Sequence, residues 1–265
     1  EIFYHFFYKN DHKLAMEWVN TFKKNEKIFW KSIDTEIITS KNKINLDSLY
    51  DVVKNYKIDS LKIFYNLIKI FLFKLPINLN KKNAISWSNV NFGKKFTNDV
   101  WKPLLKGKFE DDYKNISAWW LATRVKRHLS TKDIINRKSL FGYLERTYIH
   151  TIKQNINFLK AKKSGVIYNS RIKKLVIKKN RISKIISNKN YTIGKNEKVI
   201  STIPLFVLKN IVDKKELNYL NKFKGIGVIV CIIKSKIKLS NCYWTSVGDE
   251  KLPFNAVIQQ NRLFA

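Results

Sequence analysis

Hydrophobic and polar positions in the first half of the chain repeat mostly with a helical period. Residues 28–39 are the exception, because their aromatic and β-branched side chains predict a short pair of strands. Residues 91–128 are predicted to be largely helical, with a break at Pro103 and a loop around Gly107. A further helix is predicted over roughly 144–160.

The longest apolar helix is predicted over residues 61–75. Asp59 or Ser60 would cap this helix, and Pro76 would end it. At ~1.5 Å per residue it spans about 22 Å, which is too short for the ~30 Å hydrocarbon core of a bilayer. A core helix is therefore the first interpretation, and a helix lying in a membrane interface is the alternative. Its polar stripe is narrow and consists of Lys62, Asn66 and Lys69.

From Gly165 onward the period of apolar residues becomes that of strands. Lys179 and Asn180 are predicted to form a hairpin turn, because Asn tolerates a left-handed backbone. Helices first and strands later predict an α+β fold. The predicted strands are 166–168, 175–177, 182–186, 199–203, 227–233 and 255–260.

The charge balance is strongly basic, at +32 from 52 Lys and Arg against 20 Asp and Glu. Such a charge is typical of proteins that bind nucleic acid or an anionic membrane. Lys, Asn, Ile, Phe and Tyr are all abundant, however, and their codons are A/T-rich, so genome composition is an alternative source of the lysines. No helix-turn-helix, zinc-finger or aromatic RNA-binding strand motif is present, so no specific nucleic acid is expected as a partner.

The two cysteines, Cys231 and Cys242, are too few for a disulfide framework. No His/Cys spacing suggests zinc, so no metal is expected. Reduced thiols indicate a cytoplasmic protein, and contact with an anionic membrane stays open as an alternative. With 45% hydrophobic residues, the 265-residue chain is long enough for a sizeable core.

One stretch has an order of residues that composition alone does not generate. Residues 101–109 read Trp-Lys-Pro-Leu-Leu-Lys-Gly-Lys-Phe, and Ser-Ala-Trp at 117–119 and a basic run at 124–128 follow. This stretch resembles the middle of the flavin-containing amine oxidase and protoporphyrinogen oxidase-like family. Members there often read Trp-x-Pro-Leu-Leu-x-Gly-Lys-Phe-Gly, then Ser-x-x-Trp, then Arg-x-x-Arg. Glu110 stands where the second glycine is usual.

Four further places match the same family, in the family's order, and extend the resemblance over nearly the whole chain. They are the aromatic-histidine run 3–7, Phe-Gly-Tyr at 141–143 opening a helix, the segments 165–172 and 199–204 on either side of the hairpin, and the segment 239–254. Glu145 and Arg146 stand where members have a glycine pair after the Gly-Tyr.

The resemblance implies two interleaved parts. A Rossmann-like FAD-binding domain would include 1–8 and 163–205. A substrate domain, with a mixed or antiparallel sheet and covering helices, would include 9–162 and 206–265. The strongest FAD determinant, Gly-x-Gly-x-x-Gly at a strand–helix turn, is not in the sequence. The family's C-terminal flavin segment is missing as well. We therefore interpret the chain as a fragment, and we expect it to bind FAD poorly or not at all by itself.

Four residues match positions that contact FAD in the family. Ile172 falls where a backbone meets the adenine, and its plainer interpretation is a buried strand residue. Thr202 and Pro204 fall at a strand end that returns to the FAD domain, or simply at a strand end. His5 would face the flavin, although a lone histidine among aromatic residues is more often part of a core.

Four other residues are candidates for the substrate site. Tyr243 and Trp244 match the wall of the substrate cavity, where aromatic rings provide flat apolar area, and core packing is the alternative. Arg124 and Arg127 are suited to bind an anionic substrate group or a phosphate, because guanidinium binds oxyanions in a bidentate way. A solvated helix face is the alternative for both arginines.

The expected function is that of an FAD-dependent oxidoreductase, transferring a hydride or electrons between a small organic substrate and the flavin. In amine-oxidising relatives a lysine on a central strand holds a water against the flavin, and Val230 is nearest that position here. A substrate other than a simple amine is therefore expected, and no catalytic acid or base is identified. Two alternatives stay open: a basic protein that binds nucleic acid or membranes, and a redox-neutral flavin enzyme like the sugar mutases.

Overall fold

A computed structural model describes the conformation of most of the chain. The described residues are 6–8, 13, 17, 27–40, 42–132, 139–146, 148–212, 215–223, 225–237, 239–249 and 251–264. The chain divides into two compact units. The first comprises Glu1–Asn155 with Ile232–Ala265, and the second comprises Ile156–Cys231.

The strands are short and belong to three sheets. In chain order they are β1 (Ile28–Ile33), β2 (Thr35–Ile38), β3 (Lys43–Asn45), β4 (Ser139–Leu144), β5 (Lys174–Lys178), β6 (Arg181–Ile186), β7 (Asn190–Thr192), β8 (Trp244–Val247) and β9 (Ala256–Ile258). The first unit has an antiparallel β1–β4 pair and a mixed sheet in the order β3-β2-β8-β9, where β2 and β8 are parallel. The second unit has the antiparallel sheet β5-β6-β7.

Helices connect and cover these sheets. They are α1 (Leu49–Tyr56), α2 (Asp59–Leu72), α3 (Ala84–Phe92), α4 (Lys94–Phe96), α5 (Lys102–Phe109), α6 (Ala118–Leu129), α7 (Tyr148–Ala161), α8 (Leu205–Leu208) and α9 (Asn261–Phe264). Short 3-10 turns lie at Ile77–Lys81, Glu110–Asn115 and Lys215–Lys222, and a π-helical turn at Thr97–Trp101. The predicted α+β class with a mixed sheet is confirmed. In the described ranges, no helix is both long and apolar enough to cross a bilayer.

The main core of the first unit lies between the mixed sheet and helices α1 to α6. Its fully buried side chains include Ile37 of β2, Ile63 of α2 and Phe92 of α3. The predicted polar stripe on the 61–75 helix is wrong at Asn66. That side chain is buried, and its Nδ2 donates to the backbone oxygens of Lys62 at 2.9 Å and Asn91 at 2.7 Å.

Two local predictions, the cap of α1 and the pairing of the strands in 28–39, are wrong because contacts with distant parts of the chain decide both. Ser48 caps α1, since its Oγ accepts from the Asp51 N–H. The sequence predicts Asn45 or Asp47 as the cap of a helix that runs to about Tyr56, but Asp47 instead accepts from the backbone and hydroxyl of Thr35. The strand pair predicted over 28–39 is present as β1 and β2, but these strands belong to different sheets.

The segment around Pro103 is helical without the predicted break. The π-helical turn leads directly into α5, and Pro103 lies in its first turn, where a proline is tolerated. Gly107 lies inside α5 and not in a loop. A Cβ there would stand 3.1 Å from Asn255 Oδ1, and Asn255 Nδ2 donates to the Gly107 oxygen at 2.8 Å.

The β5–β6 hairpin agrees with the sequence, because Lys179 and Asn180 have φ of 49° and 59° at its turn. Three other predicted strands are wrong. The segments 166–168, 199–203 and 227–233 form no strand, and most of their apolar side chains are exposed. Ile229 is 96% exposed. We call these the three unpaired segments: an apolar run becomes a strand only when a neighbouring strand accepts its backbone hydrogen bonds.

Candidate functional site

An aromatic cluster in the first unit gathers several of the residues singled out by the sequence. Phe6 stacks on Phe141 with ring centroids 3.9 Å apart, and Tyr8 meets Phe141 edge-on at 5.5 Å. Phe141 is also perpendicular to Tyr243, at 6.3 Å. Among the residues that the structure describes, the cluster comprises Phe6, Tyr8, Ile33, Phe141, Tyr143, Tyr243, Trp244 and Ile258.

Gly142 allows the segment around Phe7 to pack against β4. The Phe7 N–H donates to the Gly142 oxygen at 2.8 Å, and the Gly142 N–H donates back at 3.0 Å. A Cβ on Gly142 would lie 2.8 Å from Ile28 Cγ2 and 3.0 Å from the Trp30 ring. Phe141 and Tyr143 therefore lie in a strand, and the expectation that 141–143 opens a helix is wrong.

Arg124 and Arg127 lie over the Tyr8 ring, with their guanidinium carbons 5.4 Å and 4.4 Å from its centroid. Their spacing of three residues places both on one face of α6, which Ser117 caps through its Oγ. Tyr8 is buried, whereas both arginines are exposed. We call this feature the arginine pair; stacking on an aromatic ring orients its charges.

Other positive charges lie near the arginine pair. Partial burial lowers the pKa of Lys108, and the charge of Arg124 lowers it further. Burial of the His128 ring lowers its pKa; the Asp47 carboxylate opposes this, whereas Lys132 and Arg124 reinforce it. The Lys108 ammonium and the two guanidinium groups of the arginine pair together favour an anion at this surface.

Asp47 joins the mixed sheet to the β1–β4 pair. Its carboxylate accepts from the Thr35 hydroxyl at 2.7 Å, from Ser139 Oγ at 3.2 Å and from Lys132 Nζ at 3.0 Å. Burial raises the pKa of Asp47, but Lys132, His128 and the Thr35 hydrogen bond outweigh burial, so the pKa is lowered. Ser139 Oγ also lies 3.4 Å from His128 Nε2. Because Ser139 is completely buried, this Asp-His-Ser grouping is structural.

A second buried carboxylate, Glu36, lies in the mixed sheet. It accepts from Ser240 Oγ at 2.5 Å and Thr245 Oγ1 at 2.6 Å, and it pairs with Lys43 Nζ at 3.1 Å. Burial raises its pKa, but these hydrogen bonds outweigh burial and lower it. Burial and the nearby Glu36 raise the pKa of the Cys242 thiol to about 11.

The structure thus brings the four predicted substrate residues together in the first unit. Tyr243 is buried, and its hydroxyl accepts from the Tyr143 hydroxyl at 2.8 Å. Trp244 is half-buried and donates from Nε1 to Ser246 Oγ at 3.0 Å. Tyr243 is therefore packed in the core, as the alternative interpretation of the sequence proposed. A contact between Tyr243 and substrate stays a prediction.

The predicted cofactor residues belong to the second unit, apart from His5, which lies outside the described residues. Ile172 is half-buried next to β5, on a loop that Ser170 ties to Ser187 and that Asn188 holds through the Asn169 oxygen. Thr202 is exposed in one of the unpaired segments and Pro204 is exposed directly after it, so they do not end a strand as expected. Val230, matched to the lysine position, lies in another unpaired segment.

Sequence reasoning missed Tyr8, Glu36 and the role of Asp47. A lone acid between β-branched residues was the available signal for Glu36, because a carboxylate on a buried strand requires donors. Tyr8 gave no signal of its own, since its partners on α6 are more than a hundred residues away in sequence.

The fold was compared with those of known proteins. The sequence matches no known protein family and no curated protein sequence. The fold is similar to that of reduced UDP-galactopyranose mutase, with a TM-score of 0.60 and 11% identity, over 98% of this chain and 59% of that one. It is also similar to a putrescine oxidase double mutant made to redesign cofactor binding, with a TM-score of 0.52 and 10% identity, over 81% of this chain and 50% of that one. The chain thus spans less than two thirds of either structure, and the likeness concerns the fold.

Proposed function

We propose that this chain is part of an FAD-dependent oxidoreductase of the amine oxidase superfamily. One observation supports the proposal most: sequence motifs and fold point independently to the same enzymes. The segments 101–109 and 239–254 resemble the flavin-containing amine oxidases, and the fold is similar to that of an oxidase and a sugar mutase. These are the two kinds of enzyme that the sequence resemblance had named.

Within this proposal the first unit binds the substrate. The arginine pair binds an anionic group of a small organic substrate, because two guanidinium groups beside Lys108 create a positive surface. The rigid aromatic cluster below fixes the orientation of both guanidinium groups through Tyr8. Trp244, which is only half-buried, is the aromatic side chain of the predicted pair that remains accessible.

The described residues fit only part of an FAD site. Hydrogen bonds hold the Ile172 loop on both sides, from Ser170 and Asn188 before Ile172 and from the Lys173 N–H to the Ile186 oxygen after it, which suits a backbone that meets the adenine. The 265 residues contain no Gly-x-Gly-x-x-Gly run to hold the pyrophosphate. When bound, FAD would supply the redox chemistry, and this chain would supply the adenine contact and the position of the substrate.

A redox-neutral reaction, as in the sugar mutases, is the second candidate. The mutase similarity extends over 98% of the chain and the oxidase similarity over 81%. At 11% and 10% identity this difference does not favour one chemistry over the other. The two candidates differ in one measurable property: without an electron acceptor, an oxidoreductase would leave its flavin reduced after it converts substrate, whereas a redox-neutral enzyme would leave the flavin oxidation state as it was.

The first test uses the product of the complete gene, purified and examined by visible absorption. Flavin absorption bands, bleached without oxygen by a substrate, are expected for the oxidoreductase. Bands that return unchanged after turnover of a nucleotide sugar would select the mutase. A protein that stays colourless after FAD is added contradicts both, and the nucleic-acid and membrane alternatives then come first.

The second test concerns the arginine pair. The variant Arg124→Gln/Arg127→Gln is expected to raise KM for an anionic substrate with a smaller change in kcat, since the pair binds and does not react. Arg146→Gln, an exposed arginine outside the aromatic cluster, is the matched control. An unchanged KM in the double variant contradicts the assignment.

A further inference from the structure

Helix α2 carries an apolar face that points into solvent. Its inner face packs in the main core through Ile63 and Ile70. Its outer stripe comprises Leu61, Tyr65, Ile68 and Leu72, which are 73%, 64%, 58% and 64% exposed. These positions recur at spacings of three and four residues, so they form one continuous line along the helix. Single exposed apolar side chains are ordinary, but a line of four is typical of a binding surface.

The outer stripe is bordered by lysines. Lys62 and Lys69 are exposed and seven residues apart, so both lie along the same flank of the stripe. The helix pair α1–α2, with the segment to Leu75, contains five lysines and two aspartates. Both aspartates are engaged elsewhere: Asp51 accepts from the Asn45 N–H, and the Asp59 carboxylate lies against Gly93.

We propose that the outer stripe of α2 inserts into the interface of an anionic lipid bilayer, with the flanking lysines at the lipid phosphates. A helix with an apolar line and a lysine border is the form that lies in a membrane interface, its lysine stems extending toward the headgroups. Tyr65 within the stripe and Tyr50 on α1, which is 71% exposed, are residues favoured at that depth. This inference is independent of the proposed redox function.

Charge complementarity selects a bilayer over a second copy of the chain. Two copies that meet through this stripe would bring Lys62 and Lys69 of each copy together, and each copy carries a net charge of +32. Two such copies would repel each other, whereas an anionic leaflet attracts each lysine near its surface.

Vesicle flotation of the whole chain tests the proposal. Phosphatidylcholine vesicles with phosphatidylserine are expected to carry the protein, and vesicles without phosphatidylserine much less of it. Leu61→Gln/Ile68→Gln removes two apolar contacts and keeps good helix formers, so binding should weaken about a hundredfold. Ile229→Gln/Ile233→Gln, which replaces two isoleucines that are 96% and 79% exposed outside the stripe, is the matched control and should bind like the wild type. Equal binding by the stripe variant, or none by the wild type, overturns the proposal.

Insertion must also be separated from attraction by charge alone. In a Cys231→Ser background, an environment-sensitive dye on Leu72→Cys should shift to the blue with anionic vesicles, and the same dye on Lys178→Cys should not. The shift at position 72 should persist at about 0.5 M salt, where the Debye length is about 4 Å. A protein that floats without this shift binds by charge alone, which overturns insertion. A wild-type dimer that the stripe variant converts to monomers, seen by sedimentation velocity, assigns the stripe to a second copy and overturns the proposal as well.

Discussion

Glu36 accepts a hydrogen bond of 2.6 Å from Thr245, although the two residues are 209 positions apart in the chain. The bond joins the parallel strands β2 and β8, and so it holds the two ends of the first unit in one sheet. Ser240 and Lys43 complete the environment of the carboxylate. A buried carboxylate with this set of donors is a fixed part of the fold and not a free acid available for catalysis.

Replacing Glu36 should therefore cost stability. The variant Glu36→Gln keeps the shape of the side chain but removes the negative charge to which three groups donate. The free energy of unfolding should therefore fall by about 1–3 kcal/mol. Urea unfolding followed by circular dichroism measures this. Glu145→Gln, at an exposed position, should stay within about 0.5 kcal/mol of the wild type. An unchanged urea midpoint for Glu36→Gln would show that the network contributes nothing.

Glu110 has a backbone conformation that suits glycine, with φ 50° and ψ −131° at the end of α5. It is the position where the family that the sequence resembles usually has its second glycine. The variant Glu110→Gly should raise the free energy of unfolding by about 1 kcal/mol, because it removes the clash of a Cβ in the left-handed region. Glu110→Ala keeps the Cβ and should bring no such gain. Equal stability of the two variants is the result that contradicts this explanation.

Stability should fall steadily as the solution is acidified. The folded pKa values of Asp47 and Glu36 are lowered, so their contributions are complete above the unfolded pKa of about 4 and are lost below it. The pKa of His128 is lowered as well, so the unfolded state takes up its proton first, and stability begins to decline below about pH 6.5. Urea midpoints across this range measure the decline. Asp47→Asn should reduce the fall of the urea midpoint at acidic pH. Asp111→Asn, at an exposed position, should leave that fall unchanged.

Gly142 should not accept a methyl group. The variant Gly142→Ala should lower the free energy of unfolding by about 1–3 kcal/mol, since its Cβ would press on Ile28 and Trp30. Gly165→Ala is the control, because nothing lies within 4 Å of a Cβ there. Thermal unfolding compares the two. Similar melting temperatures would mean that β1 can move aside without a loss of stability.

The two cysteines should differ in reactivity. Cys231 is exposed, whereas Cys242 is buried and its thiol has a pKa of about 11. A thiol reagent at neutral pH should therefore modify one cysteine in the folded chain and both in urea. Mass spectrometry of the labelled peptides identifies the site. Rapid modification of Cys242 in the folded protein would contradict its placement.

The elements predicted well are those whose evidence is local. The Lys179-Asn180 turn and the strands on either side of it lie within a dozen residues, and the sequence indicates all of them. The segment 227–233 has an equally strong strand pattern but forms no strand. The pattern reports what side chains favour, whereas a strand also requires a neighbour to pair with, and that neighbour is not encoded locally.

The residues of the candidate site also fall into those that local sequence indicates and those that depend on distant parts of the chain. Arg124 and Arg127 are three residues apart on a predicted helix, and such a spacing is local information that is sufficient to place both over one ring. Their common partner Tyr8 and the distant partners of Glu36 depend on chain topology, which periodicity does not specify. The family resemblance supplied Tyr243 and Trp244 as candidates, and only the structure shows that one is buried and the other accessible.

The three unpaired segments also affect how this chain behaves in solution. Extended apolar segments with open backbone groups are templates for edge-to-edge pairing between molecules, the first step of aggregation. Lys195 and Lys198 precede one segment, and Lys234 and Lys236 follow another, in the positions where charged gatekeeper residues oppose such pairing. Whatever the origin of its lysines, the net charge of +32 therefore keeps copies of the chain apart, and added salt weakens that protection.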